Sequence, residues 1–305
     1  MKRLFYFSSI IGLSNAFSPR HISPIVRPIC HKMIGDQQQL LMSSTPTESL
    51  LAATVATDSL KPGESIHIID NVLYPKSDYK HRMDIGKDSQ FGEESSVAAV
   101  KANDPRLSLT YHEFPLQSLD TLLELGIDTF ELKNGRKPNV LVDLGSGCGR
   151  LVLYPALASA ESDCDILWKE VHGIEISSLM HDYAVSILEK GCQQGIFSVP
   201  SNDSKDIQIY LHQGPASEMK DVLSQADIIF CYSTVFDSDG FDVDIGAMVL
   251  AKEWSQLLAD VCKSGTVVIT TDRALNPVHG WSLNHTLEVE NPSLIGSTGY
   301  VSIRQ

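Results

Sequence analysis

From Pro105 to the C-terminus, apolar positions switch repeatedly between two periods. "FPLQSLDTLLELGI" sets Leu116, Leu119, Leu122, Leu123 and Ile127 three and four apart, the spacing of one helix face. "NVLVDLG" is a short apolar run closed by an acid and a glycine, which reads as a buried strand, and "LVLYPALASA" restarts as a helix. The alternation continues with "EVHGIEIS" as a strand, "SLMHDYAVSILEKGCQQG" as a helix ending at glycine, and "DIQIYLHQG" and "ADIIFCYSTVF" as strands. "AMVLAKEWSQLLADVCKSG" reads as one long amphipathic helix and "TVVITTD" as a fifth strand. The last two runs, "NHTLEVEN" and "TGYVSIRQ", follow each other without a helix, which predicts an antiparallel pair at one edge. Strands that alternate with helices need right-handed crossovers, so the predicted fold is α/β, with a mostly parallel sheet and helices on both faces. No internal repeat is visible.

Upstream, the pattern is different. Lys2 and Arg3 precede an apolar run from Leu4 to Leu13 and then small residues through Ala16, the layout of a signal peptide; the run is too short to span a bilayer. Residues 17–35 are rich in Arg, His, Ser and Pro, and no acidic residue occurs before Asp36, which is transit-peptide composition. With Phe17 directly after the cleavage point, residues 1–16 and 17–60 resemble the bipartite plastid-targeting presequence of diatoms and related algae; an ordinary secreted protein is the alternative. Ser43 to about Pro62 reads as linker, and residues 61–108 as an irregular N-terminal extension with one apolar run, "SIHIIDNVLYP". The domain proper is assigned to residues 109–305. No other stretch is long and apolar enough to cross a membrane.

Charge narrows the partners. The formal net charge is -14, and because the leader is basic, the body is more acidic still. Such a surface is a poor non-specific ligand for polyanions, so tight nucleic-acid binding is not expected. Cys30, Cys148, Cys164, Cys192, Cys231 and Cys262 lie far apart, with no CxxC and no paired histidines, which speaks against a disulfide framework or a zinc site.

The turn after the first core strand carries the chemistry. In a doubly wound sheet that turn lies at the carboxyl edge, where ligands bind, and "DLGSGCGR" holds Gly145, Gly147 and Gly149 there. A dinucleotide fingerprint needs glycine where Arg150 stands. Asp143, two residues before the first glycine, suits a ligand that carries a cation rather than a pyrophosphate.

These residues resemble motif I of class I S-adenosylmethionine-dependent methyltransferases, whose Rossmann-like sheet also ends in an antiparallel strand pair. The resemblance implies S-adenosyl-L-methionine as cofactor, held by Asp143, Gly145, Ser146, Gly147 and Gly149, with Glu175 at the end of "VHGIEIS" on the ribose hydroxyls; a carboxylate's two oxygens suit two neighbouring hydroxyls. A narrower likeness runs from about Leu109 to Gln305. "LTYHEFPLQSLDTLLELG", "VDLGSGCGRLVL", "HGIEIS" and "ADIIFCYSTVF" look like the non-SET histone lysine methyltransferases of the disruptor-of-telomeric-silencing type. That likeness implies that Tyr111 and Glu113 fold over the cofactor and that Tyr232, Ser233 and Phe236 line the methyl-transfer pocket. The departures are on record too. His112 stands where the family has glycine, Tyr232 and Ser233 stand where it has asparagines, and Gln213 and Ser217 stand near its adenine-side acid.

The sequence reading is thus a methyltransferase whose acceptor is a protein lysine amine or, alternatively, a small molecule. His112 and Asp237 are candidate bases. An NAD(P) oxidoreductase on a related sheet and a non-catalytic cofactor-binding protein remain as other classes.

Overall fold

The computed structural model describes residues 50–57, 59–91, 112–162, 168–200 and 206–305. Residues 1–49 of the presequence, Cys30 among them, and also Tyr111 and Cys164 lie outside the described residues. Everything described belongs to the unit Thr45–Gln305.

The central sheet has eight strands. In chain order they are β1 (Leu50–Val55), β2 (Val140–Leu144), β3 (Glu170–Glu175), β4 (Ile207–Gln213), β5 (Ile228–Cys231), β8 (Val267–Thr271), β9 (Trp281–Val289) and β10 (Ser297–Arg304); β6 (Ser238–Asp242) and β7 (Ala247–Leu250) form a separate hairpin. The order across the sheet is β1-β4-β3-β2-β5-β8-β10-β9. Strands β4, β3, β2, β5 and β8 run parallel, β10 is antiparallel to β8 and to β9, and β1 is antiparallel to β4. The chain therefore winds one way from β2 through β3 to β4 and then returns to β5 on the other side. The point where direction reverses, between β2 and β5, is where such sheets open a crevice for ligands.

Side chains alternate across each strand, and the two faces bury separate cores. Leu141, Ile228, Phe230, Val267 and Ile269 face one, with α3 (Leu116–Asn134), α4 (Arg150–Ser159) and α5 (Ser178–Gln193) packed over them. Val142, Leu144, Ile229, Cys231 and Val268 face the other, covered by α6 (Lys220–Gln225) and α7 (Lys252–Val261). Helix α3 begins after Pro115 and stops at Gly135, whose φ of 66° lets its N–H reach back to the Glu131 carbonyl at 2.8 Å. Between those ends it lies close on the sheet. A Cβ on Gly126 would sit 2.6 Å from Ile269 Cδ1, so any larger residue there would have to push that side chain aside. Ser177 caps α5 by accepting the Met180 N–H.

Three expectations are corrected. Residues 50–55 are not linker: they form β1 and extend the sheet beyond β4. Residues 61–91 are not irregular: α1 (Glu64–His67) runs into a π-helical turn, Ile68–Leu73, and after a short 3₁₀ turn α2 (Tyr79–Phe91) follows. Ile69, Leu73 and Tyr74 are buried in the core under α4 and α5, so the fold begins well before Leu109. The long helix expected from Ala247 starts only at Lys252, because "AMVL" is strand β7. The antiparallel pair at the C-terminal edge is present as expected. No helix among the described residues is long and apolar enough to cross a membrane.

Candidate active site

At the carboxyl ends of β2, β3 and β5 the structure opens a cavity of about 690 Å³. Its floor is the glycine-rich turn, from Gly145 to Cys148, and its walls include Phe114, Glu175, Met180, Ala216, Tyr232, Phe236 and Trp254.

The turn is shaped by three left-handed glycines, with φ of 81°, 54° and 82° at Gly145, Gly147 and Gly149. Gly145 lies under the Phe236 ring, since a Cβ there would come within 3.1 Å of it. Gly149 does not border the cavity. It starts α4 and faces Ala184 of α5, 2.9 Å from where its Cβ would be, so it is a packing residue and not the cofactor contact expected of it.

Glu175, at the end of β3, is 6 % exposed, and both its oxygens are held by backbone: Oε2 accepts the Gly147 N–H at 2.7 Å and Oε1 the Ser177 N–H at 2.7 Å. These bonds fix the carboxylate against the turn and leave each oxygen able to accept again. Burial raises its pKa, opposed by the backbone donors. Asp143 is 2 % exposed, and its Oδ2 is buried without a hydrogen-bond partner. Burial, reinforced by the charge of Glu175, pushes its carboxyl up to about 8. Arg150, the first residue of α4, also lines the cavity. Its guanidinium donates to the Phe114 carbonyl at 2.9 Å and to Asp70 at 2.7 Å, while its Nε is buried without a partner. Two residues lining the cavity thus each carry one buried polar atom without a partner, Asp143 Oδ2 and Arg150 Nε, and each costs free energy until something pairs with it.

The N-terminal helices brace this floor. Tyr74 Oη donates to the Cys148 carbonyl at 2.7 Å, Asp70 pairs with Arg150, and Lys190 of α5 reaches the Val72 carbonyl at 2.7 Å. Arg82, only 1 % exposed, pairs with Glu113 at 2.6 Å and positions it at the rim beside His112. Sequence reasoning missed Tyr74, Asp70 and Arg82 because they lie in a segment without apolar periodicity. Trp254 and Leu257, also missed, border the cavity from α7.

Of the residues expected at the methyl-transfer pocket, Tyr232 and Phe236 line the cavity, with Phe114 5.1 Å from the Tyr232 ring and Trp254 4.7 Å from the Phe236 ring. Tyr232 Oη accepts an N–H from Asn291 at 3.0 Å, and burial keeps the phenol protonated. Ser233 is different from what was expected. It is fully buried, donates to the Thr271 carbonyl at 2.7 Å and accepts the Thr271 N–H at 3.2 Å, so it ties β5 to β8 and does not face the cavity. Asp237 does not line it either, whereas His112 does. Cys148, Cys231 and Cys262 are buried, and no group of His, Cys, Asp and Glu among the described residues has the arrangement of a metal site.

No protein-family model matches the chain, and no curated protein sequence matches it. Among solved structures, it is similar to an RNA methyltransferase from Salinibacter ruber crystallised with S-adenosyl-L-homocysteine, at 23 % identity and a TM-score of 0.39, over 64 % of this chain and 95 % of that one. It is also similar to an O-methyltransferase from Bacillus cereus, at 13 % identity and a TM-score of 0.38, over 79 % of this chain and 97 % of that one. A third is magnesium protoporphyrin IX methyltransferase from Synechocystis, at 14 % identity and a TM-score of 0.38, over 73 % and 97 % of the two chains.

Proposed function

We propose that the protein is an S-adenosylmethionine-dependent methyltransferase whose acceptor is an amine on a protein side chain. The observation that carries the cofactor is the pair of unpartnered buried atoms, Asp143 Oδ2 and Arg150 Nε, on residues that line one cavity with the anchored carboxylate of Glu175. A free ammonium and a free carboxylate on one ligand would satisfy the first two, and vicinal hydroxyls the third. An α-amino acid joined to a nucleoside has all of these features. The cavity's sign agrees: among the described residues Glu175, Glu113 and Glu253 line it against one arginine that is already paired with Asp70, which favours a sulfonium and opposes the pyrophosphate of NAD.

Bound there, the cofactor supplies an electrophilic methyl group on a sulfonium. The chain's part is alignment, which carries most of the acceleration in an in-line displacement. Asp143 and Arg150 would hold one end, Glu175 would hold the ribose, and Gly145 lets the backbone come close under Phe236. Phe114, Tyr232, Phe236 and Trp254 form a largely apolar wall, which keeps an incoming amine neutral by lowering its pKa. His112, at the rim, accepts the released proton or passes it to water.

The acidic chain supports a basic protein segment over nucleic acid as acceptor, and the resemblance to the disruptor-of-telomeric-silencing type points to lysine. The leader's resemblance to a plastid-targeting presequence supports a plastid address, where nucleosomes are absent; a fluorescent fusion of residues 1–60 in a diatom tests that address, and nuclear signal from the full-length fusion contradicts it. For the reaction, full-length protein is incubated with methyl-labelled cofactor and algal plastid extract. Label in protein amines is the expected result. Label confined to small molecules would move the acceptor to the alternative class, and none at all with cofactor bound would leave a non-catalytic binding protein.

A further inference from the structure

We propose that the β6–β7 hairpin is a docking platform for a basic segment of the acceptor protein that also carries apolar side chains; this rests on the methyltransferase reading above. The hairpin is rooted in the active site at both ends. Phe236, two residues before β6, lines the cavity, as do Glu253 and Trp254, which follow β7. The root is closed by the Ala251 N–H on the Asp237 carbonyl at 2.9 Å.

Its two faces are unlike. Ala247 and Val249 are buried against Ala274 and Tyr300, and β7 is stitched to the body by Leu250 N–H to Ala274 O and Ala274 N–H to Met248 O, each 2.8 Å. The opposite face turns to solvent the cross-strand pair Phe241 and Met248, 63 % and 39 % exposed, with Val243 at the tip 84 % exposed. Large apolar side chains grouped in this way mark interaction surfaces more often than scattered single ones do. Strand β6 pairs with no strand but β7 among the described residues, so one edge can receive an extended peptide.

Charge selects the occupant. From Phe236 to Ala251 the chain holds Asp237, Asp239, Asp242 and Asp244 and no lysine or arginine. Asp242 is partly committed, accepting the N–H groups of Asp244 and Ile245 at the tip, while Asp239 and Asp244 are exposed beside the apolar pair. An apolar strip edged by carboxylates is complementary to a segment mixing lysine or arginine with leucine, valine or aromatic residues, and it repels a phosphate backbone. A segment lying there is held within a few residues of Phe236 and Glu253, so one of its lysines is delivered to the cavity mouth.

The test uses full-length protein and fluorescent synthetic peptides in anisotropy titrations. The probes are one peptide alternating lysine and leucine, one alternating glutamate and leucine, and a single-stranded RNA of similar length. The lysine–leucine peptide should bind, less tightly as salt is raised, and the other two should not. Phe241→Ser with Met248→Ser, and separately Asp239→Lys with Asp244→Lys, should each weaken it by about tenfold or more, the loss typical of a central anchor, with the melting temperature and S-adenosylhomocysteine affinity of the parent retained. Parental peptide affinity in both double variants, or preference for RNA or the acidic peptide, overturns the proposal. Peptide binding that survives without any S-adenosylhomocysteine binding would instead remove the methyltransferase reading and leave the platform.

Discussion

Replacing Asp143 with asparagine should make the ligand-free protein more stable and its cofactor binding weaker. The folded protein holds this carboxyl in its neutral form, with a pKa moved from 3.8 to about 8 by burial and by Glu175. A group whose folded pKa is raised contributes most below its unfolded value and loses that contribution as pH rises through the folded one. The cost of carrying Asp143 therefore begins near pH 4, grows by about 1.4 kcal/mol per pH unit, and levels off above pH 8 on the order of 5 kcal/mol. Asparagine has nearly the same shape and no charge to bury. Denaturant titrations of the two proteins should coincide near pH 4 and separate steadily up to pH 8, with the variant ahead. At pH 8 the melting temperature should differ by roughly 10 °C or more, at about 2 to 4 °C per kcal/mol for a chain of this size. Affinity should move the other way, since one hydrogen bond to a charged group, worth about 1.5 to 3 kcal/mol, is lost. That is roughly a 10- to 100-fold rise in the dissociation constant for S-adenosylhomocysteine. Cofactor binding to the parent should also release protons near pH 7, read as a dependence of binding heat on buffer ionisation enthalpy, and Asp143→Asn should abolish this. A variant less stable than the parent at pH 8, or one that binds as tightly, refutes the reasoning.

Glu175→Ala should weaken S-adenosylhomocysteine binding by about 10- to 100-fold, because it removes a charge-assisted acceptor and frees the turn at Gly147; calorimetry reads it, and unchanged affinity would break the assignment. Gly149→Ala should cost stability without direct loss of a ligand contact, about 1 to 2 kcal/mol for the left-handed backbone and about 1 to 3 kcal/mol for crowding Ala184; a melting curve unchanged from the parent would contradict that. Burial lowers the pKa of His212 to about 4, and those of His172 and His181 fall too, so the His212 ring is neutral when folded in a window where the unfolded chain takes up a proton below pH 6.5. His212→Leu should therefore gain on the parent in denaturant titrations as pH drops from 6.5 toward 4, and a margin independent of pH would argue against a neutral buried ring.

What the sequence disclosed depended on whether burial was apolar and periodic. Strands β2, β3, β5 and β8 carry runs such as "VLVDL" and "VVITT", and the long helices α3 and α5 repeat every three or four residues, so the alternation of strands and helices could be read directly. Strand β7 was hidden because four apolar residues joined to a helix have no period of their own. Strand β1 was hidden because its partner β4 lies more than 140 residues away, and nothing local marks that pairing. The helix α2 escaped notice for another reason: Arg82 on it is buried and neutralised by Glu113, and an ion pair leaves no hydrophobic pattern. In the site, the glycine turn and Asp143 were visible from type and spacing, and Glu175 through the family resemblance. The roles of Gly149 and Ser233 were not, because both residues are used in packing between elements distant in sequence. Arg150, taken at first only as the missing third glycine, is the cavity's cation.

The central claim is that this cavity takes a nucleoside carrying a free amino acid end. Calorimetric titration of the full-length protein with S-adenosylhomocysteine at pH 8 tests it most directly, with S-adenosylmethionine and NAD as competitors. One saturable site per chain, displaced by S-adenosylmethionine and indifferent to NAD, is the predicted result. Absence of binding to either S-adenosyl compound, or displacement by NAD, would contradict it.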